Sequence, residues 1–143
     1  MDLNNLSRIL VPFDFGELSF RAIRTALSVA PAERVELLHV MPVASGLAWA
    51  AGLHVDDDHV RVEGVRMRLE RALTGEGIDP VGLQLHVRIG SPGPEIVEFA
   101  STSQPDLIIM GSHGRTGAIE RLLMGSVAYS VVRGASCPVL VIR

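Results

Sequence analysis

The chain contains no lysine: all 13 of its basic residues are arginine. A P-loop is thereby excluded, because its glycines must lead into Gly-Lys-Ser/Thr. Cysteine is nearly absent as well, with Cys137 alone. One cysteine forms no intramolecular disulfide, and a cytoplasmic location is the default expectation. Aromatic residues make up only 4% of the chain, so the core must be aliphatic. No apolar run approaches the ~20 residues of a membrane span. The longest candidate, "PVASGLAWAAGLHV", is short and broken by glycines, and "MDLNNLSR" at the start has no apolar signal core. The net charge of -3 comes without a basic cluster or an aromatic-basic patch. That leaves no electrostatic footprint for nucleic acid, and no membrane partner is expected either.

What is present fits one soluble domain. At 143 residues, 48% of them apolar and 20% charged, the chain buries roughly 70% of its unfolded surface and needs no metal or disulfide to fold. "RILVPFDF" (Arg8–Phe15) opens with a buried-strand pattern. In "LSFRAIRTALSVA", Ile23, Ala26, Leu27 and Ala30 recur at helical spacing, and Pro31 ends the run. "RVELLHVMPV" (Arg34–Val43) reads as a strand buried on both faces through Val35, Leu37, Leu38 and Val40. After the small-residue loop "ASGLAWAAGLHV", Val62, Val65, Leu69 and Leu73 share one face of a helix. Asp56–Asp58 suit that helix's positive end, and Gly75 or Gly77 stops it.

"VGLQLHVRIG" alternates, with Val81, Leu83, Leu85 and Val87 on one face and Gln84, His86 and Arg88 on the other. This is a half-exposed strand at a sheet edge. "SPGPEIVEFAS" begins a helix with Pro92 or Pro94 in its first turn. "DLIIM" is a short buried strand, "SVAYSVVRGA" a helix, and "CPVLVIR" the last strand. Strict alternation of short apolar strands with helices predicts an α/β domain: an open, doubly wound parallel sheet with helices on both faces.

In such sheets ligands bind beyond the carboxyl ends of the strands, where strand order reverses. "PFDF" with Asp14, "HVMP" with Val40 and "MGSHGRTG" all lie at such ends. They converge if the first and fourth strands are neighbours. Glycine lets backbone N–H groups approach a phosphate closely and adopt positive φ. Gly125-Ser126 then stands where a helix begins, with Ser126 as N-cap and phosphate donor. The first strand-helix turn, "FDFGELS", lacks the G-x-G-x-x-G of a dinucleotide fingerprint.

The stretches "ILVPFDFGELSFRAI", "ELLHVMP", "RIGSPGPEIVEFA" and, above all, "DLIIMGSHGRTG…LLMGSVAYSVVRGASCPVLVIR" resemble the universal stress protein family over nearly the whole chain. The resemblance implies a Rossmann-like, five-stranded parallel sheet of order 3-2-1-4-5. It also implies a homodimer paired through the last strand, Pro138–Ile142. Its nucleotide-binding members carry G-x2-G-x9-G-S/T. Gly111, Gly114, Gly125 and Ser126 match, but ten residues, Arg115–Met124, stand between Gly114 and Gly125. An extra residue absorbed inside that loop keeps the site; one that rotates Gly111–Gly114 destroys it.

Carried over by resemblance, Asp14 meets the adenosine with Pro12 beside it, and Val40 meets the adenine through its backbone. Met110 and Gly111 lie along the ribose and phosphates, while Gly114, Gly125, Ser126 and Val127 hold the phosphates. The implied ligand is ATP, with or without Mg²⁺, or another adenine nucleotide, and the implied role a stress-response sensor. A nucleotide-free interaction protein and a slow ATP hydrolase are the alternatives.

Plainer readings stand beside these. Asp14 could serve only the loop amides ahead of the first helix, and the glycines only a tight turn. His113 has no nameable catalytic partner and reads as a loop histidine near phosphate; His39 reads as core or rim. His54, His59 and His86 have no metal-ligand spacing with one another or with Cys137, which reads as a small buried hydrophobe. Trp49 and its neighbours could form a lid, a partner surface or plain packing.

Overall fold

The structure, a computed structural model, describes residues 6–43, 58–114 and 124–143. In chain order the elements are β1 (Ile9–Pro12), α1 (Glu17–Val29), a 3-10 turn (Ala32–Arg34), β2 (Val35–Met41), α2 (Asp58–Gly75), β3 (Gln84–Ile89), α3 (Pro92–Ser103), β4 (Leu107–Gly111), α4 (Ser126–Gly134) and β5 (Val139–Ile142). The strands form one five-stranded sheet of order β3-β2-β1-β4-β5, with every neighbouring pair parallel. The expected doubly wound topology is the observed one.

Side chains alternate across the strands and so divide the core in two. Ile9, Val11, Leu37 and Ile109 point to the face covered by α1 and α2, where Ile23, Ala26, Leu69 and Leu73 meet them. Leu10, Leu38, Val40, Ile108 and Met110 point the other way, onto Ile96, Phe99 and Ala100 of α3 and Ala128 and Val131 of α4. Right-handed crossovers demand this division: the helices inside β1–β2–β3 lie on one face, those inside β3–β4–β5 on the other. Cys137 is half-buried against the second core, and that burial pushes its thiol pKa up.

The stop of α2 uses both candidate glycines. Gly75 is the last helical residue, and Gly77 takes φ of +71° just beyond it. The Gly77 N–H donates to the Thr74 carbonyl at 3.0 Å and the Ile78 N–H to the Leu73 carbonyl at 2.9 Å. This is a Schellman closure, with Ile78 and Leu73 both buried. The third strand starts later than its alternation suggested. Val81 is 77% exposed and lies in a turn. Its N–H donates to Asp79 Oδ1 at 2.9 Å, and Gly82 at φ of +87° breaks the extended run before Gln84.

Asp58 is the first residue of α2, whereas Asp56, Asp57 and the Trp49 loop lie outside the described residues. Among the described residues no helix is long and apolar enough to cross a membrane.

Candidate functional site

β1 and β4 are neighbours, with Ile9 beside Leu107 and Leu10 beside Ile108. The chain leaves β1 toward β2 and returns on its other side as β4, so strand order reverses between these two. At their carboxyl ends lies a cavity of about 420 Å³, within the size range of small-molecule sites. All nine residues expected at a ligand site line it. Pro12 and Asp14 come from the end of β1, Val40 from β2, and Met110, Gly111 and Gly114 from β4 and its loop. Gly125, Ser126 and Val127 come from the start of α4.

The cavity has more walls than the sequence named. Phe13, Ser19, Leu38 and Ala128 also line it, as does His113. Leu38 could have been inferred from Val40, since residues two apart in a strand share a face. Pro92 and Ile96 close the cavity from α3. Their helix start was legible in "SPGP", but not the crossing that brings α3 over β2 beside the reversal.

Asp14 does what the plainer reading asked of it and still lines the cavity. Its Oδ1 accepts the Gly16 N–H at 2.9 Å and the Ser19 hydroxyl at 2.6 Å. The Ser19 oxygen in turn accepts the Asp14 N–H at 3.1 Å. Ser19 is buried, so this small network is shielded and holds the carboxylate in the cavity wall.

The positive φ expected of the site glycines is absent. Among the described glycines only Gly77, Gly82 and Gly90 have positive φ, and none of these is in the site. The site glycines are instead squeezed between chain segments. A Cβ on Gly111 would lie 2.7 Å from Leu18 Cβ, and one on Gly125 3.1 Å from His113 Cα. On Gly114 it would lie 3.1 Å from Asp14 Oδ2. Close approach of α1 and two loops, not an unusual turn, selects glycine here.

Backbone hydrogen bonds hold the glycine that follows the ten-residue spacer. The Gly125 N–H donates to the Ser112 carbonyl at 2.7 Å, and the Ser112 N–H to the Ile142 carbonyl at 2.8 Å. Gly125 is thus clasped to Ser112, and Gly114 and Gly125 line one cavity. Residues 115–123, with Arg115 and Arg121, lie outside the described residues. Ser126 is not the N-cap: Gly125 is, at φ −62° and ψ 157°, and no side chain caps the helix. The clasp to Ser112 holds Gly125 extended and moves the cap one residue back. Ser126 is exposed at the first helical position.

His113 pairs its Nδ1 with Ser112 Oγ at 2.9 Å, and His39 pairs its Nδ1 with the Phe13 carbonyl oxygen at 2.8 Å. Among the described residues no arginine lines the cavity, and no group of three or more metal-ligating side chains is present.

The chemistry of the walls is graded. Pro12, Leu38, Val40, Ile96 and Met110 make an apolar floor, suited to a flat ring system. A carboxylate stands at one side to accept hydroxyl or amino donors. The glycine loop and the start of α4 present backbone N–H groups and the positive end of a helix dipole, which suit an anion.

A family model, described as the Universal stress protein family, matches residues 5–143. Universal stress protein G of Shigella flexneri is 37% identical over 141 residues, covering 94% of this chain and 97% of that protein. The solved structure of protein MJ0577, a universal stress protein of Methanocaldococcus jannaschii, superimposes with a TM-score of 0.74 at 30% identity, covering 96% of this chain and 95% of that one. A universal stress protein from Archaeoglobus fulgidus, solved in complex with dAMP, shares the fold with a TM-score of 0.59 at 24% identity, covering 95% and 97%.

Proposed function

The chain belongs to the universal stress protein family, and we propose that within it this protein is an adenine-nucleotide-binding sensor module, working as a homodimer in a cytoplasmic stress response. ATP, alone or with Mg²⁺, is the proposed nucleotide. The adenine lies on the apolar floor beside Val40, and the ribose hydroxyls reach the Asp14 carboxylate. The phosphates run along Gly111 and Gly114 to the amides of Gly125, Ser126 and Val127. The observation that carries this reading is the meeting of those residues, drawn from four separate parts of the chain, on one cavity at the strand-order reversal. The Archaeoglobus fulgidus complex is a fact about that protein; the support for this chain is its own cavity.

The dimer is proposed to pair through Pro138–Ile142, since β5 is an edge strand with Leu140 43% exposed.

Freshly purified protein is denatured and any released nucleotide identified by mass spectrometry; ATP with Mg²⁺ is then titrated by calorimetry. Released or saturably bound adenine nucleotide is expected. Gly111→Val should abolish uptake, because its side chain would enter the space of Leu18. Asp14→Ala should weaken binding about tenfold, the scale of one charge-assisted hydrogen bond. Folded protein that carries no nucleotide and gives no heat would remove the reading and leave a nucleotide-free interaction protein. Hydrolysis that survives unchanged in both variants would belong to a contaminant.

A further inference from the structure

Phe15, between Asp14 and Gly16, has φ of +66°. A left-handed backbone is uncommon outside glycine and an outlier for a bulky side chain. Gln104, the other described non-glycine residue with positive φ, caps the end of α3, where that conformation is routine. Phe15 instead stands at the approach to a helix. Such strain persists only where the surroundings over-determine it.

The surroundings here grip the ring from three elements. Phe13, at the end of β1, meets it edge-on with centroids 5.1 Å apart. His39 of β2 meets it at 5.0 Å and 74°. The Arg68 guanidinium carbon, from α2, lies 4.2 Å from the ring centroid, in the range of a cation–π contact. His39 is itself anchored by the Phe13 carbonyl.

Just past this bend the Gly16 N–H and the Ser19 hydroxyl both donate back to Asp14 Oδ1, at 2.9 and 2.6 Å. A glycine or asparagine would take this φ without strain, but it would present no ring to hold the turn closed. We propose that Phe15 is a positioning residue. Its gripped ring locks the Asp14 turn, so that the carboxylate is in place for the sugar of the nucleotide before binding, and Arg68 makes α2 part of that support. The role in binding rests on the nucleotide reading above. An acceptor ordered in advance costs less to bind.

The test uses the full chain with Phe15→Gly, Phe15→Tyr, Arg68→Ala, Asp14→Ala and the Phe15→Gly/Asp14→Ala double variant. ATP affinity is read by calorimetry, and Gly16 amide exchange by NMR in the nucleotide-free protein. The exchange of a core amide such as Ile108 monitors global folding. Phe15→Gly should weaken ATP about three- to tenfold, the cost of ordering one group on binding. It should also speed Gly16 exchange while Ile108 stays protected. Phe15→Tyr keeps the ring and should behave as the wild type. Arg68→Ala, at an exposed position, should cost about twofold. In the Asp14→Ala background Phe15→Gly should cost no further affinity, which a merely structural role would not produce.

Wild-type affinity and Gly16 protection in Phe15→Gly would overturn the proposal. So would additive losses in the double variant. If the wild type takes up no ATP, the nucleotide reading falls and the exchange arm judges the turn alone. Faster Gly16 exchange would then uphold the ring's hold on Asp14, and unchanged exchange would end it.

Discussion

The two edges of the sheet are finished differently. β3 sets polar side chains along its outer course: Gln84 donates to the Glu33 carbonyl at 3.0 Å, and Arg88 lies over Phe99 and 3.5 Å from Glu95. His86 packs its ring on the same Phe99, with centroids 4.9 Å apart. β5 offers only Val139, Leu140, Val141 and Ile142, each half-buried or exposed. An edge strand is a row of unpaired backbone groups, and charge is a common guard against unwanted pairing. One edge of this sheet is guarded and the other is apolar. The contrast favours β5, not β3, as the pairing edge of the proposed homodimer.

Leu140→Arg is the strongest way to break the contrast. Size-exclusion chromatography with light scattering should give a dimer for the wild type and a monomer for this variant. Gln84→Arg, a charge added to the guarded edge, should leave the dimer intact. A wild-type monomer at micromolar concentration would end the dimer proposal.

The next effect concerns what the guarded side costs. Glu36 of β2 is 3% exposed, and Arg8 Nε lies 3.1 Å from its Oε1. Its Oε2 has no hydrogen-bond partner among the described residues. Arg8→Ala would strand a buried carboxylate, and unfolding by denaturant should show a loss of about 2–4 kcal/mol. Glu36→Gln in the same background should recover part of it, since an amide is cheaper to bury than a charge. No recovery would mean that Arg8 acts mainly through its bond to the Ser103 carbonyl.

The smallest effect is one of pH. Burial holds His86 below the ordinary histidine value of 6.5, partly opposed by Glu36 and reinforced by Arg66, Arg88 and Arg8. Its Nε2 has no partner among the described residues. The unfolded chain therefore binds this proton more readily than the folded one. Stability from this group is complete above about pH 6.5 and declines as pH falls below it, until the folded histidine protonates as well. Melting temperatures from pH 7.5 to 5 should fall less steeply for His86→Gln than for the wild type. Parallel curves would remove His86 as a source of acid sensitivity.

Element identity was legible because its causes are local. The periods of Ile23-Ala26-Leu27 and of Leu69-Leu73 needed only the neighbours along the chain. Where local chemistry competed with periodicity, periodicity misled. Val81 fits the alternation of β3, yet the Asp79 side chain and Gly82 take it into a turn. Ser126 is a good cap residue in the right place, yet the clasp between Gly125 and Ser112 shifts the start of the helix.

By itself, then, the sequence determined the order of strands and helices, the doubly wound class, and which loops face the carboxyl end of the sheet. Hydrophobic period and the handedness of crossovers suffice for that. Only the tertiary structure decided why the site glycines are glycines, that α3 supplies a wall, and that Phe15 is held in a left-handed turn beside Asp14. Each depends on segments far apart in the chain meeting at van der Waals distance: Leu18 against Gly111, His113 against Gly125, Arg68 over Phe15. Contacts of that kind leave no period in the sequence, because their partners are chosen by the packing of the whole sheet and not by neighbours along the chain.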